Sequence, residues 1–168
     1  VNNAGVEFAG GVGDLAESGL RQMLEVNAVA PILLMQGLLP SLRASPAASV
    51  INVTSIHQDV PVRGNLGYCA SKAALAMASR TAALELGRDG IPVNNLAPGA
   101  IETDHNRDLI AAVGRGRFES WIPAGRLGRP DDVAELAVFL AGDRSRYVTG
   151  TTFVCDDGYT DHLVRYDD

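Results

Sequence analysis

Residues 49–54, Ser49-Val50-Ile51-Asn52-Val53-Thr54, form a short β-branched run, and two more follow it: Ile91-Pro92-Val93-Asn94-Asn95-Leu96 and Thr151-Thr152-Phe153-Val154-Cys155. Each is too short for a helix and reads as a buried strand. Long segments of helical period separate them, and strands alternating with helices imply parallel strands covered on both faces. The fold class is therefore α/β. Between 66 and 88, Ala70, Ala73, Ala74, Met77 and Leu84 fall on one face of a helix rich in alanine, which permits close packing. Residues 15–42 also read as helical, in two pieces, because Pro31 would kink a continuous helix just after Asn27. Pro130 suits the first position of a further helix, with Asp131 and Asp132 in its first turn and Val133, Leu136, Ala137 and Leu140 as its buried stripe. From Asp104 to Arg129 the pattern weakens into a long connection of the kind kept for a lid or binding loop.

With 168 residues, 46% hydrophobic and 20% charged, the chain suits one domain with a real core. A net charge of −6 without a basic run excludes a nucleic-acid backbone or an anionic membrane surface as the expected partner. The apolar stretch Ile32–Leu39 is interrupted by Gln36 and Gly37 and bounded by prolines, short of a membrane span. Cys69 and Cys155 lack CxxC spacing and histidine neighbours, so no metal site is expected and both read as free thiols of a reducing cytoplasm. No signal-peptide pattern opens the chain. Its first residue is Val1 and not methionine, so the expectation is a chain that starts inside a longer one.

Tyr68-Cys69-Ala70-Ser71-Lys72 sets a phenol and an ammonium four residues apart at the start of a helix. A tyrosine is a poor base near neutrality, and lowering its pKa by about three units takes roughly 4 kcal/mol of phenolate stabilisation. A neighbouring lysine cation supplies much of that, and the helix N-terminus adds to it. Ser55 closes the first strand, where its hydroxyl can hold a reacting substrate oxygen while the phenol exchanges the proton.

These residues sit in an ordered series: Asn2-Asn3-Ala4-Gly5, Val26-Asn27, Ser55, Tyr68-x-x-x-Lys72, then Asn94-x-x-x-Pro98-Gly99-x-Ile101-x-Thr103. Ile122-Pro123, Gly125-Arg126, Pro130 to Ala134, Tyr147 to Gly150 and Asp157-Gly158 continue it. The series resembles the short-chain dehydrogenase/reductase family along nearly the whole chain. That resemblance implies NAD- or NADP-dependent hydride transfer, with Tyr68 as acid/base, Lys72 depressing its pKa and binding the nicotinamide ribose, and Ser55 orienting the substrate oxygen. Asn27 matches the member that holds a water in a proton relay. Asn3, Ala4 and Gly5 resemble the turn beside the cofactor's adenosine half, and Pro98, Gly99, Ile101 and Thr103 the loop at its nicotinamide. Ser55-Ile56-His57-Gln58 is similar to the aldose dehydrogenases of the family, which implies a sugar or other secondary alcohol or carbonyl substrate, with His57 bonding a sugar hydroxyl. Glu102, His105 and Asn106 add polar groups at the mouth of the lid.

No glycine-rich phosphate turn follows a strand, and Gly10-Gly11-Val12-Gly13 has no strand ending on it. The resemblance places that turn, and roughly 60 residues or more of βαβ structure, before Val1. The expected architecture is thus the C-terminal part of a Rossmann-like doubly wound sheet, strands four onward, as one partial domain over 1–168. An exposed sheet edge and no turnover from these residues alone are the corollaries. The alanine-rich helix near 68–84 and the apolar helix near 32–39 resemble the pair through which family members dimerise, implying a homo-dimer or tetramer. The second reading is a non-catalytic association module built on that pair.

Overall fold

The computed structural model describes residues 1–162, without the side chain of His105. Three strands form one parallel sheet in the order β1 (Val50–Val53), β2 (Val93–Pro98), β3 (Thr152–Cys155). Each lies within two residues of its predicted position. Val50 pairs with Val93 and Asn95 with Thr152. The sheet continues past β1, where the Asn2 N–H donates to the Ile51 carbonyl at 2.8 Å and the Val53 N–H to the Asn2 carbonyl at 2.9 Å. Asn2 therefore occupies the place of a further parallel strand.

Helices cover both faces. Val50 and Val93 pack with Ala83 and Leu86 of α3 (Leu66–Leu86), and Met35 and Leu39 of α2 (Ala30–Ala44) close that layer. On the opposite face Ile51 and Leu96 meet Leu140 of α6 (Pro130–Ala141), with Val133, Leu136 and Ala137 beside it, the stripe expected from sequence. Pro130 does open α6, and the Asp132 carboxylate accepts the Arg129 N–H at 2.8 Å, covering one bare donor of the first turn.

Three expectations need correction. Pro31 does not divide the first helix: α1 (Glu17–Leu24), a π-helical segment (Glu25–Val29) and α2 run on without interruption through Pro31, whose missing N–H falls just after the π winding has already departed from the α hydrogen-bond pattern. The irregularity is the π segment, centred on Asn27. The continuous run, Glu17–Ala44, is 28 residues and long and apolar enough to cross a membrane by length and composition, which Ile32–Leu39 alone did not reveal. Here its Met23, Asn27, Ala28 and Pro31 are buried within the domain.

The face of α3 marked by Ala70, Ala74, Met77 and Leu84 points outward, Leu84 being 84% exposed. Its inward face carries Gly67, Ser71, Lys72, Leu75, Ala76 and Ser79. The sheet explains the inversion, because Asn2, Asn52 and Asn95 stand side by side on adjacent strands beneath it. Asn52 Nδ2 donates to Ser79 Oγ at 2.7 Å and Asn95 Nδ2 to the Ala76 carbonyl at 3.2 Å. Buried amides need partners, so serines face the sheet and alanines and methionine face out.

Residues 104–129 are no structureless connection. They hold α4 (Arg107–Val113) and α5 (Arg115–Glu119), separated by Gly114 at φ +88°. Ile110, Phe118, Ile122 and Leu127 give this segment a small core of its own.

Candidate active site

The carboxyl ends of β1 and β2, the start of α3 and one wall of α6 enclose a cleft of about 540 Å³. Open α/β sheets place ligand clefts at this end of their strands. Ser55, Tyr68 and Lys72 line it together. Asn3, Gly5, Pro98, Gly99, Ile101 and Thr103 line it too, so nearly all the residues predicted for the cofactor converge there. Ala4, Asn27 and His57 do not line it.

Ser55 follows β1 in extended conformation and caps a 3-10 turn, Ile56–Gln58, its Oγ accepting the His57 N–H at 3.1 Å. The same side chain acts on the Tyr68 phenol and lowers its pKa. Tyr68 stands in the first turn of α3, its ring edge-on to His57 with centroids 6.5 Å apart. His57 Nδ1 lies 2.9 Å from the Val60 carbonyl, so that nitrogen carries a proton.

Lys72 is buried one turn further along α3, and its Nζ donates to the Val53 carbonyl at 2.9 Å and lies 5.8 Å from the centre of the Tyr68 ring. Burial pulls its pKa down to about 8, against the opposing pull of Glu7. The direction expected for Tyr68 is reversed. Burial pushes its pKa above the ordinary value, Ser55 lowers it, and Glu7 and Cys69 raise it. Desolvation of a phenolate outweighs what a lysine facing the ring and bonded elsewhere supplies.

Asn27 is fully buried, and its amide makes three of its four hydrogen bonds: Oδ1 accepts the Val6 N–H at 2.8 Å, while Nδ2 donates to the Val6 carbonyl at 2.8 Å and to Ser71 Oγ at 2.9 Å. Its side chain therefore fastens the segment after Gly5 to α3 and leaves one acceptor position on Oδ1 open. Ser71 Oγ donates in turn to the Tyr68 carbonyl at 2.8 Å. A Cβ on Gly5 would sit 3.4 Å from Asn27 Oδ1 and 3.5 Å from Lys72 Nζ, in ordinary contact with both. Gly99 meets Asp156 so closely that a Cβ would come within 2.5 Å of the aspartate Cβ.

Two features escaped the sequence reading. Glu7 accepts a hydrogen bond from Asn65, just before α3, and its charge acts on both Tyr68 and Lys72. Its place two residues after Gly5 in an irregular segment gave no periodic signal. Pro130, Val133, Ala134 and Ala137 of α6 line the cleft although their stripe reads only as core. Of the lid-mouth residues, Asn106 Nδ2 donates to the Ile101 carbonyl at 2.8 Å, Glu102 pairs with Arg115, and the side chain of His105 lies outside the described residues. Among the described residues no group of three metal-ligating side chains gathers.

Comparison with known proteins agrees with this geometry. The 2,5-dichloro-2,5-cyclohexadiene-1,4-diol dehydrogenase LinX of Sphingobium indicum is 36% identical over 159 residues, 95% of this chain and 63% of that protein. The 3beta-hydroxysteroid dehydrogenase 1 of Eggerthella lenta is 37% identical over 163 residues, 95% of this chain and 62% of that protein. The chain thus spans somewhat under two thirds of these relatives. A gluconate 5-dehydrogenase from Burkholderia cenocepacia, solved with NADP and tartrate, superposes with a TM-score of 0.91 at 28% identity, over 96% of this chain and 64% of that one. The family model described as enoyl-(acyl carrier protein) reductase matches residues 1–160. A match of that extent, on a parallel sheet shared with solved dehydrogenases, assigns the chain to the short-chain dehydrogenase/reductase family.

Proposed function

We propose that the protein is an NAD(P)-dependent oxidoreductase that interconverts a secondary alcohol and its carbonyl. The observation that carries this is the convergence of Ser55, Tyr68 and Lys72 on one cleft. The residues present fit a dinucleotide at its nicotinamide end. Gly5 and Gly99 keep the cleft wall free of side chains, and Lys72 has two N–H groups left for ribose hydroxyls after bonding Val53. Asn3, Ala4 and Gly5 would flank the adenosine half, and Pro98, Gly99, Ile101 and Thr103 the nicotinamide. When bound, the nicotinamide supplies the hydride acceptor or donor.

The chain's own residues handle the proton. Ser55 holds the substrate oxygen against the Tyr68 hydroxyl, and Tyr68 removes the alcohol proton in oxidation or returns it in reduction. Lys72, cationic below its pKa near 8, offsets part of the burial that holds the phenol protonated, and the proton leaves by a relay near Asn27. A water there would take the Asn27 backbone carbonyl, in a segment whose π winding departs from the α pattern.

The substrate carries further hydroxyls, as a sugar or cyclic diol does. The His57 ring stands edge-on to Tyr68 with Nδ1 held by the Val60 carbonyl, and the relatives named above act on a diol, a steroid and gluconate. The protein works as a homo-dimer or tetramer. In support, Ile32, Leu33, Leu34 and Leu38 of α2 and Met77 and Leu84 of α3 are all exposed. Two unpaired cysteines support a cytoplasmic location.

The test is Tyr68→Phe in the natural gene product that carries these residues, screened against NAD and NADP with polyol, cyclic diol and steroid alcohols. Turnover is expected to fall on the order of a thousandfold while cofactor still quenches protein fluorescence. Undiminished turnover would refute the proposal.

A further inference from the structure

Beneath the active-site turn lies a polar cluster that the proton chemistry does not use. Gln58, the last residue of the 3-10 turn that Ser55 caps, donates from Nε2 to Asp59 Oδ2 at 2.8 Å and to Thr152 Oγ1 at 3.2 Å. Asn95, 1% exposed, donates from Nδ2 to the Ala76 carbonyl at 3.2 Å and to the same Thr152 Oγ1 at 3.3 Å. The oxygens of both amides, Gln58 Oε1 and Asn95 Oδ1, are buried without a hydrogen-bond partner. Neither amide can be turned over to cure this, because its oxygen would then face the Asp59 carboxylate or the Ala76 carbonyl.

Counting closes the network. A threonine hydroxyl accepts two hydrogen bonds and donates one, and Thr152 already accepts two. Its proton and two orphaned carbonyl oxygens remain. One water, accepting from Thr152 and donating to Gln58 Oε1 and Asn95 Oδ1, balances all three, and three partners are what a buried water typically has. Leaving both oxygens bare carries the desolvation penalty of each.

The cluster reaches the active site through the turn it anchors. The other hydrogen bonds that shape residues 55–60 stay within that segment: His57 N to Ser55 Oγ, Gln58 N to Ser55 O, Val60 N to Ile56 O, and His57 Nδ1 with Val60 O. Among the described residues, the side-chain tie from residues 56–60 to the sheet is Gln58 to Thr152. We propose that Gln58 and Thr152 are positioning residues, which with Asn95 and one buried water lock the Ser55–His57 turn to β3 and so set Ser55 against Tyr68. The functional half of this rests on the oxidoreductase reading. It places no new group on the substrate.

The experiment compares Gln58→Leu, Thr152→Val, the double variant and Thr152→Ser in the natural gene product. Gln58→Leu and Thr152→Val should each lower kcat on the order of tenfold, as misplaced catalytic groups do, with cofactor Kd unchanged. The double variant should fall no further than either single one, and Thr152→Ser, which keeps the hydroxyl, should match the parent. Additive losses, parental kcat in both single variants, or equal loss in Thr152→Ser and Thr152→Val would overturn the positioning role. If Gln58→Leu fails to fold, Thr152→Val against Thr152→Ser carries the comparison. A crystal structure of the parent should show one water about 3 Å from Gln58 Oε1 and Asn95 Oδ1, and a dry cluster would overturn the network. That crystallographic result stands without turnover, so an inactive parent would count against the oxidoreductase reading alone.

Discussion

Lys72 Nζ donates to the Val53 carbonyl at 2.9 Å, so the buried cation of the site is tied to the end of β1. Its pKa near 8, down from 10.5, means that folding disfavours the protonated form. The unfolded chain then binds more protons between those values, and stability rises with pH there. The cost is fully present below pH 8, about 3 kcal/mol by the size of the shift, and is relieved toward 10.5. Lys72→Met should therefore be more stable than the parent at pH 7 and lose that advantage toward pH 10, as urea melts across the range will show.

Ser55→Ala and Glu7→Gln should move the pH profile in opposite directions. Ser55 lowers the Tyr68 pKa, so removing it should push the ascending limb of kcat/KM for alcohol oxidation to higher pH. Glu7 raises both Tyr68 and Lys72, so neutralising it should shift that limb to lower pH. Profiles that move together, or not at all, would contradict this.

Two glycines offer a contrast. A Cβ on Gly99 would meet Asp156 Cβ at 2.5 Å and its Cα at 3.0 Å, atoms that cannot swing aside. A Cβ on Gly67 would meet Met23 Cε at 2.3 Å, the end of a flexible side chain. Gly99→Ala should cost about 1–3 kcal/mol and weaken cofactor binding. Gly67→Ala should cost less and leave cofactor affinity intact, as thermal melts and cofactor titration will establish.

Asn27→Ala removes three buried hydrogen bonds and strands the Val6 N–H and carbonyl. Stability should fall by about 2 kcal/mol or more, and the segment after Gly5 should gain hydrogen-exchange rate. Unchanged protection at Val6 would show that the π segment holds without this side chain.

The strands, α6 and the Ser55–Tyr68–Lys72 set were legible because β-branched runs, a proline at a helix start and a fixed spacing are local signals. What failed was set by distant partners. Ala70, Ala74, Met77 and Leu84 look like a core stripe until Asn52 and Asn95 are placed beneath α3 and claim Ser79 and the Ala76 carbonyl. Pro31 looks like a break until the π segment absorbs the irregularity one turn earlier. The rise in the Tyr68 pKa depends on burial, which spacing does not encode. Glu7 became visible only when the chain brought it to Tyr68 and Lys72.

The amides under α3 have a mechanical consequence. Apolar contacts let a helix slide by fractions of a residue at little cost, whereas Asn52 to Ser79 and Asn95 to Ala76 act as detents, engaged in one register or not at all. The helix that carries the phenol is indexed to the strand that carries the serine, as a key is to the wards of a lock.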